Sequence, residues 1–417
     1  HLFDVQSGGV RLLYEELERD MQEAWAIHGV YCSFDWTPDG KSIIAWAGGK
    51  IRRIKVADGS SVVIPFRVKD QREIRPALRF PIPVGQNEFD VKMLRWTTTS
   101  PSGDAVAYQA LGHIYVRDLP EGRPRRLTTQ SEHFEFYPSF SRDGRYIVYT
   151  TWNDASLGSI RVASLDASAG ENWIVTKEPG HYIHPVFSPN GKTIVYEKRT
   201  GGYLTSPLWS REPGIYRIAA RGGKPVRIAE QGSRPQFAQS SDRVFFTERD
   251  AGKEADNLQL CSMDLNGKEK RAHYTSKWAT EFCVSPDRKQ VAFIERFNVY
   301  VAPFVDTGSA VAVGPNPSGL PITKVSEQAG DFVHFSGNAT KLHWSLGGDL
   351  YSCDLAAAAK RSEQKDETVK ASRRAIGFRH PHASPEGQVA IVGGRVVTMG
   401  DAGVINNGTI VIDGNRI

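Results

Sequence analysis

A stretch of about a dozen residues returns down the chain in altered form, and no other feature restricts the fold as much. "FDWTPDGKSIIAW", residues 34–46, reappears as "TSPSGDAVAYQA" from Thr99, "PSFSRDGRYIVYT" from Pro138 and "PVFSPNGKTIVYE" from Pro185. Weaker copies are "PQFAQSSDRVFFTE" from Pro235, "FCVSPDRKQVAFIE" from Phe282 and "VHFSGNATKLHWS" from Val333. Gly40, Gly103, Gly144 and Gly191 fall 63, 41 and 47 residues apart, the longest gap holding an insertion over residues 67–92.

Each copy has a physical logic. An apolar strand ends in a turn where Pro sets φ and Gly accepts positive φ. A second strand rich in Val, Ile, Tyr and Phe follows. A third strand then carries its own marker, as in "KIRRIKVADG" from Lys50, "HIYVRDLPEG" from His113 or "GIYRIAARGG" from Gly214. A fourth ends near "RRLT" (125–128) or its equivalent. Four strands per repeat, in a unit that cannot bury both faces alone, predict an all-β chain built as a β-propeller of about seven four-stranded blades, alternatively six. A solenoid or a set of sandwiches fits less well, because the Cys and Trp spacing of Ig-like domains is missing.

The expected organisation is a blade tail or ring-closing strands plus a connector over 1–30, the propeller over 31–375, a linker over 376–388 and separate strands over 389–417. Residues 1–14 read as the last two strands of a blade, and residues 15–23 as a short helix or a connector. The final stretch, "GGRVVTMGDAGVINNGTIVIDGNRI", predicts tight turns at Gly400-Asp401, Asn407-Gly408 and Asp413-Gly414.

Composition narrows the function classes. Hydrophobic residues make up 40% and charged residues 24%, enough for a core without metal or disulfide support. The net charge of +5 is spread along the chain, and no basic stripe interleaved with aromatics suggests nucleic-acid binding. Clusters such as Arg123, Arg125 and Arg126, or Arg373 and Arg374, read as solvated loop charges. No run reaches the roughly 18 apolar residues of a membrane span. The start at His1, with no signal-peptide pattern, points to a processed or truncated end. Cys32, Cys261, Cys283 and Cys353 show no CxxC or metal-ligand spacing and read as small buried hydrophobes.

The turn and strand markers together resemble the TolB-type propeller repeat, related to the WD-repeat class, over about residues 31–360. Such propellers act as binding platforms, envelope scaffolds and gating domains, so the resemblance implies fold more than activity. Residues 389–417 resemble the opening strands of the amidohydrolase superfamily, through "GGRVV" at 393–397, "GTIVI" at 408–412 and "GNRI" at 414–417. "QEAWAIHGVY" (22–31), running into the first repeat, is similar to bacterial proteins that join the two. The resemblance implies a metal-dependent hydrolase of non-peptide C–N bonds in amides or cyclic amides. Its catalytic barrel, with a divalent metal such as zinc, would follow Ile417 and would be the partner of this chain, which would be inactive alone. The propeller would then serve as scaffold, substrate filter or partner-docking surface, in the periplasm or outside the cell. The alternative is a stand-alone TolB-like protein-binding module of the cell envelope without catalysis.

No catalytic, cofactor-binding or metal-binding residue is assigned on this chain. His380 and His382 spell HxH but precede the strands that the family places before its metal ligands. His181 and His184 sit just before an inner strand, where a channel-lining or structural role is expected. GxSxG and phosphate-loop patterns are missing, and "AARGGKP" (219–225) reads as a turn. Trp36, Trp96, Tyr137, Trp152 and Trp209 are expected to pack between blades.

Overall fold

The computed structural model describes residues 1–16, 34–73, 75, 86–166, 171–199, 212–249, 257–315, 319–363 and 370–417. The chain divides into two compact units, His1–Ile82 and Pro83–Ile417.

In the first unit the opening repeat forms an antiparallel sheet from Asp35–Trp36, Ser42–Ala47, Lys50–Lys55 and Ser61–Val63. Ile43, Ala47 and Ile54 are buried, whereas Trp36, Val62 and Val63 are exposed. Trp36 therefore does not pack as expected. Leu2–Phe3 pairs with Val10–Arg11, and the Arg11 guanidinium donates to the Val56 carbonyl. Residues 17–33, which include Cys32 and most of the expected connector, lie outside the described residues.

The second unit contains six further blades. Their inner strands are Arg95–Thr99, Phe134–Phe140, His181–Phe187, Ser233–Gln236, Ala279–Val284 and Asp331–Phe335, here blades 1 to 6. In each, three more antiparallel strands follow outward, and Val311–Ala312 adds a parallel fifth strand to blade 4. Neighbouring blades touch in order, and the inner strand of blade 6 packs against that of blade 1. The ring is closed. The expected six or seven blades correspond to six in this ring and one four-stranded sheet in the first unit.

Closure is where the core comes from. Six clusters of buried side chains lie one at each seam between neighbouring blades. Val148, Ile160 and Val162 of blade 2 meet Tyr182, Ile194 and Tyr196 of blade 3, for example. The last seam joins Tyr108 of blade 1 to Leu350 and Ile376 of blade 6, and Tyr108 Oη donates to the Ile376 carbonyl at 3.0 Å. Cross-strand aromatic pairs recur at one register: Tyr108 with Tyr115, Tyr196 with Tyr216, Phe293 with Tyr300 and Trp344 with Tyr351 all stack.

The turn motif owes as much to its Ser and Asp as to its Pro and Gly. Ser141 Oγ accepts from Tyr146 N at 3.0 Å and donates to Asp143 at 2.6 Å. Ser188 with Asn190, Ser285 with Asp287 and Ser336 with Asn338 repeat the arrangement. Gly144 and Gly191 follow at φ +71° and +69°, but the weaker copies place Arg288 and Ala339 there at φ +57°.

Two elements depart from expectation. Phe378–Pro381, inside the expected linker, is a strand that pairs with Glu88–Val91. Residues 388–413 form one long hairpin, Gln388–Val397 against Val404–Asp413, turning at 398–403. Asn407-Gly408 is not a turn. Gly408 pairs with Gly394 in an irregular, bulged part of that ladder, with Asn407 at φ +56°.

Candidate functional site: the channel mouth

Six inner strands side by side leave a channel along the axis of the ring. Counting four residues back from each turn serine, or from Ala238 in blade 4, gives Trp96, Tyr137, His184, Arg234, Glu281 and Phe332. All six line one cavity of about 190 Å³ at the mouth of the channel. Two residues further along, Thr98, Ser139, Val186, Gln236, Cys283 and His334 line the next layer.

The mouth positions are held at a conformational cost. Trp96, Tyr137, His184, Arg234 and Phe332 all have φ between +50° and +57°, where an L residue loses about 1 kcal/mol or more. Tyr137, His184 and Arg234 also precede prolines, which disfavour helical backbone in the residue before them. Each inner strand has a register shift at this point, so a bulge turns the side chain from the blade toward the axis.

The ring has two chemically different halves. Phe332, Trp96 and Tyr137, on blades 6, 1 and 2, form an aromatic arc, with Trp96 centred 6.5 Å from Phe332 and 4.2 Å from Tyr137. His184 continues it edge-on at 4.6 Å from Tyr137. On blades 4 and 5, Arg234 Nη1 meets Glu281 Oε2 at 2.9 Å. Burial pushes the Glu281 carboxyl up, and Arg234 opposes that shift.

Behind the mouth stands Glu197, 4% exposed. Burial works to raise its pKa, but hydrogen bonds from His184, Arg199 and Ser233 outweigh it and bring the carboxyl down to about 2. Arg199 Nε and Ser233 Oγ both donate at 2.6 Å. Burial lowers His184 despite the carboxylate beside it, so its neutral ring donates through Nδ1 to Glu197 at 3.4 Å. The walls are stitched similarly. Gln236 donates to the Phe282 carbonyl at 2.9 Å and accepts from Val284 N at 2.7 Å. His334 Nε2 accepts from Thr99 N at 3.0 Å across the closing seam, while Nδ1 donates to the Phe332 carbonyl at 2.8 Å. Burial pushes the Cys283 thiol up to about 12, so this wall residue stays protonated and poorly nucleophilic. The arrangement suits binding of a group that is apolar on one side and polar on the other.

His184 lines the channel, as expected from sequence, while His181 faces Trp152 at 5.8 Å. Trp96 and Tyr137 do pack between neighbouring blades, as expected, but they do so at the mouth, where they also line the cavity. Trp209 lies outside the described residues. Phe89 packs against both His380 and His382, and His380 Nδ1 donates to the Pro381 carbonyl. Reading the residues singly misses Arg234, Glu281 and Phe332. Their signal is a fixed offset from the turn, visible only when the repeats are aligned.

No family model matches the chain. Tol-Pal system protein TolB of Francisella tularensis subsp. holarctica is 29% identical over 194 residues, covering 45% of this chain and 41% of that protein. An uncharacterized protein of Agrobacterium fabrum is 22% identical over 241 residues, 56% of this chain and 71% of its own length. The crystal structure of TolB from Acinetobacter baumannii is 16% identical, covers 71% of this chain and 63% of that chain, and superposes with a TM-score of 0.43. The chain spans about two fifths of the length of the curated TolB proteins it matches. The repeated turn chemistry, the closed ring of blades and the partial likeness in sequence make the fold a TolB-like β-propeller.

Proposed function

We propose that the propeller is a docking platform of the bacterial cell envelope, working in the periplasm, and that the channel mouth receives a segment of a partner protein. One observation carries this reading: five of six equivalent mouth residues are held in left-handed backbone that local sequence does not favour. The aromatic arc offers contact area to an apolar side chain, and the Arg234–Glu281 pair offers a donor and an acceptor to its backbone or polar groups. The partial likeness to TolB supports the envelope setting. The test is to pan a displayed peptide library on the whole chain and measure the enriched peptides against Trp96→Ala and Arg234→Ala. Losses of about tenfold or more are expected; enriched peptides indifferent to both substitutions would sink the reading.

A second reading is favoured by the terminal hairpin. Its strands expose Val389, Ile391, Val392, Val397 and Val411, each more than half exposed, a pattern that suits a sheet completed by further structure. In this reading the hairpin opens the β-sandwich of an amidohydrolase-type, metal-dependent C–N hydrolase. The propeller would be its scaffold or substrate filter. When bound, the barrel's metal would activate water for attack on the amide; no residue of this chain is assigned to it. Reading the coding sequence past Ile417 decides the matter. An HxH within about 10 to 20 residues would support it, and a stop codon would end it.

A further inference from the structure

At the other end of the inner strands, where the Ser-x-Asp/Asn-Gly turns lie, blades 2 and 3 enclose a groove of about 550 Å³. Arg142, Arg145, Lys192 and Arg221 line it, together with Tyr146 and Trp173. The nearby carboxylates are already engaged. Asp143 accepts from Arg145 Nε at 2.8 Å and from Ser141 at 2.6 Å. Glu171 accepts from Tyr146 Oη at 2.6 Å and lies 3.7 Å from Arg221.

Two of the cations lack such a partner. Among the described residues neither Arg142 nor Lys192 makes an ion pair. Arg142 is half-buried, and its guanidinium donates to the Ala238 carbonyl at 2.8 Å, across from blade 2 to blade 4. Burial alone acts on this group and lowers its pKa; no carboxylate offsets it. Arg142 also lines the cavity of about 210 Å³ at the channel exit, so the groove and the exit share its side chain. A cation drawn partly out of water without a counter-ion is under-compensated, and an incoming anion relieves that cost. Arg221 lines the same groove, its guanidinium held 3.9 Å from the Trp173 ring centroid with Nη2 3.7 Å from Glu171.

We infer that this groove docks an acidic segment of another protein, its carboxylates meeting Arg142, Lys192 and Arg221. A nucleic-acid strand fits less well. Arg221 lies over one face of Trp173 and Arg145 over Tyr146 at 5.6 Å, and the two rings meet edge to face, so arginines already hold stacking positions a base would use. Asp143 and Glu171 would also repel an unbroken line of phosphates, whereas separate carboxylates can avoid them. The inference is independent of the reading of the mouth, which lies at the opposite end of the inner strands.

The test titrates the whole chain into a fluorescein-labelled peptide of alternating Glu and Ala, following anisotropy at about 50 and about 300 mM salt. Binding is expected, weakening at least about tenfold over that salt range. Lys192→Glu, at an exposed position that leaves the fold alone, is expected to weaken it about tenfold or more, and Arg142→Gln similarly. Trp96→Ala at the mouth is expected to leave it unchanged. The inference is overturned by no binding at low salt, by equal binding to the Lys192→Glu protein, or by displacement at equal concentration with inorganic phosphate or a single-stranded oligonucleotide.

Discussion

The blades of the ring and the terminal hairpin are made of the same materials, yet only the blades bury them. Both alternate Val and Ile, and both turn at glycines. In the ring, Val148, Ile194, Val244 and Leu342 are completely buried because a neighbouring blade covers each sheet face. In the hairpin, Val392 is 71% exposed and Ile391 53%. A strand pair acquires a core only from what packs on it, so a closed ring supplies burial that an isolated ladder lacks.

The comparison is broken most directly at a seam. Trp344, 1% exposed, packs between blades 5 and 6, and Trp344→Ala is expected to cost about 3–5 kcal/mol in urea unfolding. Ile391→Ala in the hairpin is expected to change stability by less than about 0.5 kcal/mol. Equal losses at the two sites would show that the hairpin is covered as well as the ring.

Acid should weaken the next seam round the ring, where His334 of blade 6, stacked on His343, meets Thr99 of blade 1. Burial, then His334 and Lys341, bring His343 down to about 3, and burial brings His334 down to about 4. Both therefore fold neutral and bind protons more readily unfolded. Their contribution is complete above the unfolded value of about 6.5 and is lost as pH falls from there toward 4, by up to about 1.4 kcal/mol per pH unit for each histidine. Urea midpoints measured between pH 7 and 4.5 should fall, and His343→Gln should flatten the slope. A slope unchanged by that substitution would contradict the assignment.

Smaller effects sharpen the role of the turns. Ser188→Ala removes a hydroxyl that both accepts from Thr193 N and donates to Asn190, and should cost about 1 kcal/mol. Ala339→Gly should instead stabilise, by roughly 0.5–1 kcal/mol, since Ala339 sits at φ +57° where the stronger copies have glycine. A loss of stability at that position would mean that the weak copies have compensated for their missing glycine.

Much of the ring is legible in the repeat itself. The Ser-x-Asp-Gly spacing is local chemistry, written into each copy, and it announces the strands, the turns and the approximate number of blades. The aromatic pairs follow from the same register, because Tyr108 and Tyr115 need only one hairpin to meet. The Asn407-Gly408 expectation failed for a local reason too: Gly393, Gly394 and Gly408 relax the ladder into bulges, so the ten-residue strands pass through a dipeptide that favours turns.

The site is a different matter. Trp96, Tyr137, His184, Arg234, Glu281 and Phe332 come from six separate repeats, and nothing in one repeat states what the others contribute. They become one cavity only because the ring closes, through His334 on Thr99 and Tyr108 on Ile376, contacts more than 230 residues apart in sequence. The same closure holds Arg142 against a carbonyl of blade 4, where among the described residues it makes no ion pair. The blade is therefore settled by the order of residues alone, since its turn and strand signals act over a few positions. The mouth, the seams and the charged groove are settled by tertiary packing, because each depends on which distant repeats are brought side by side.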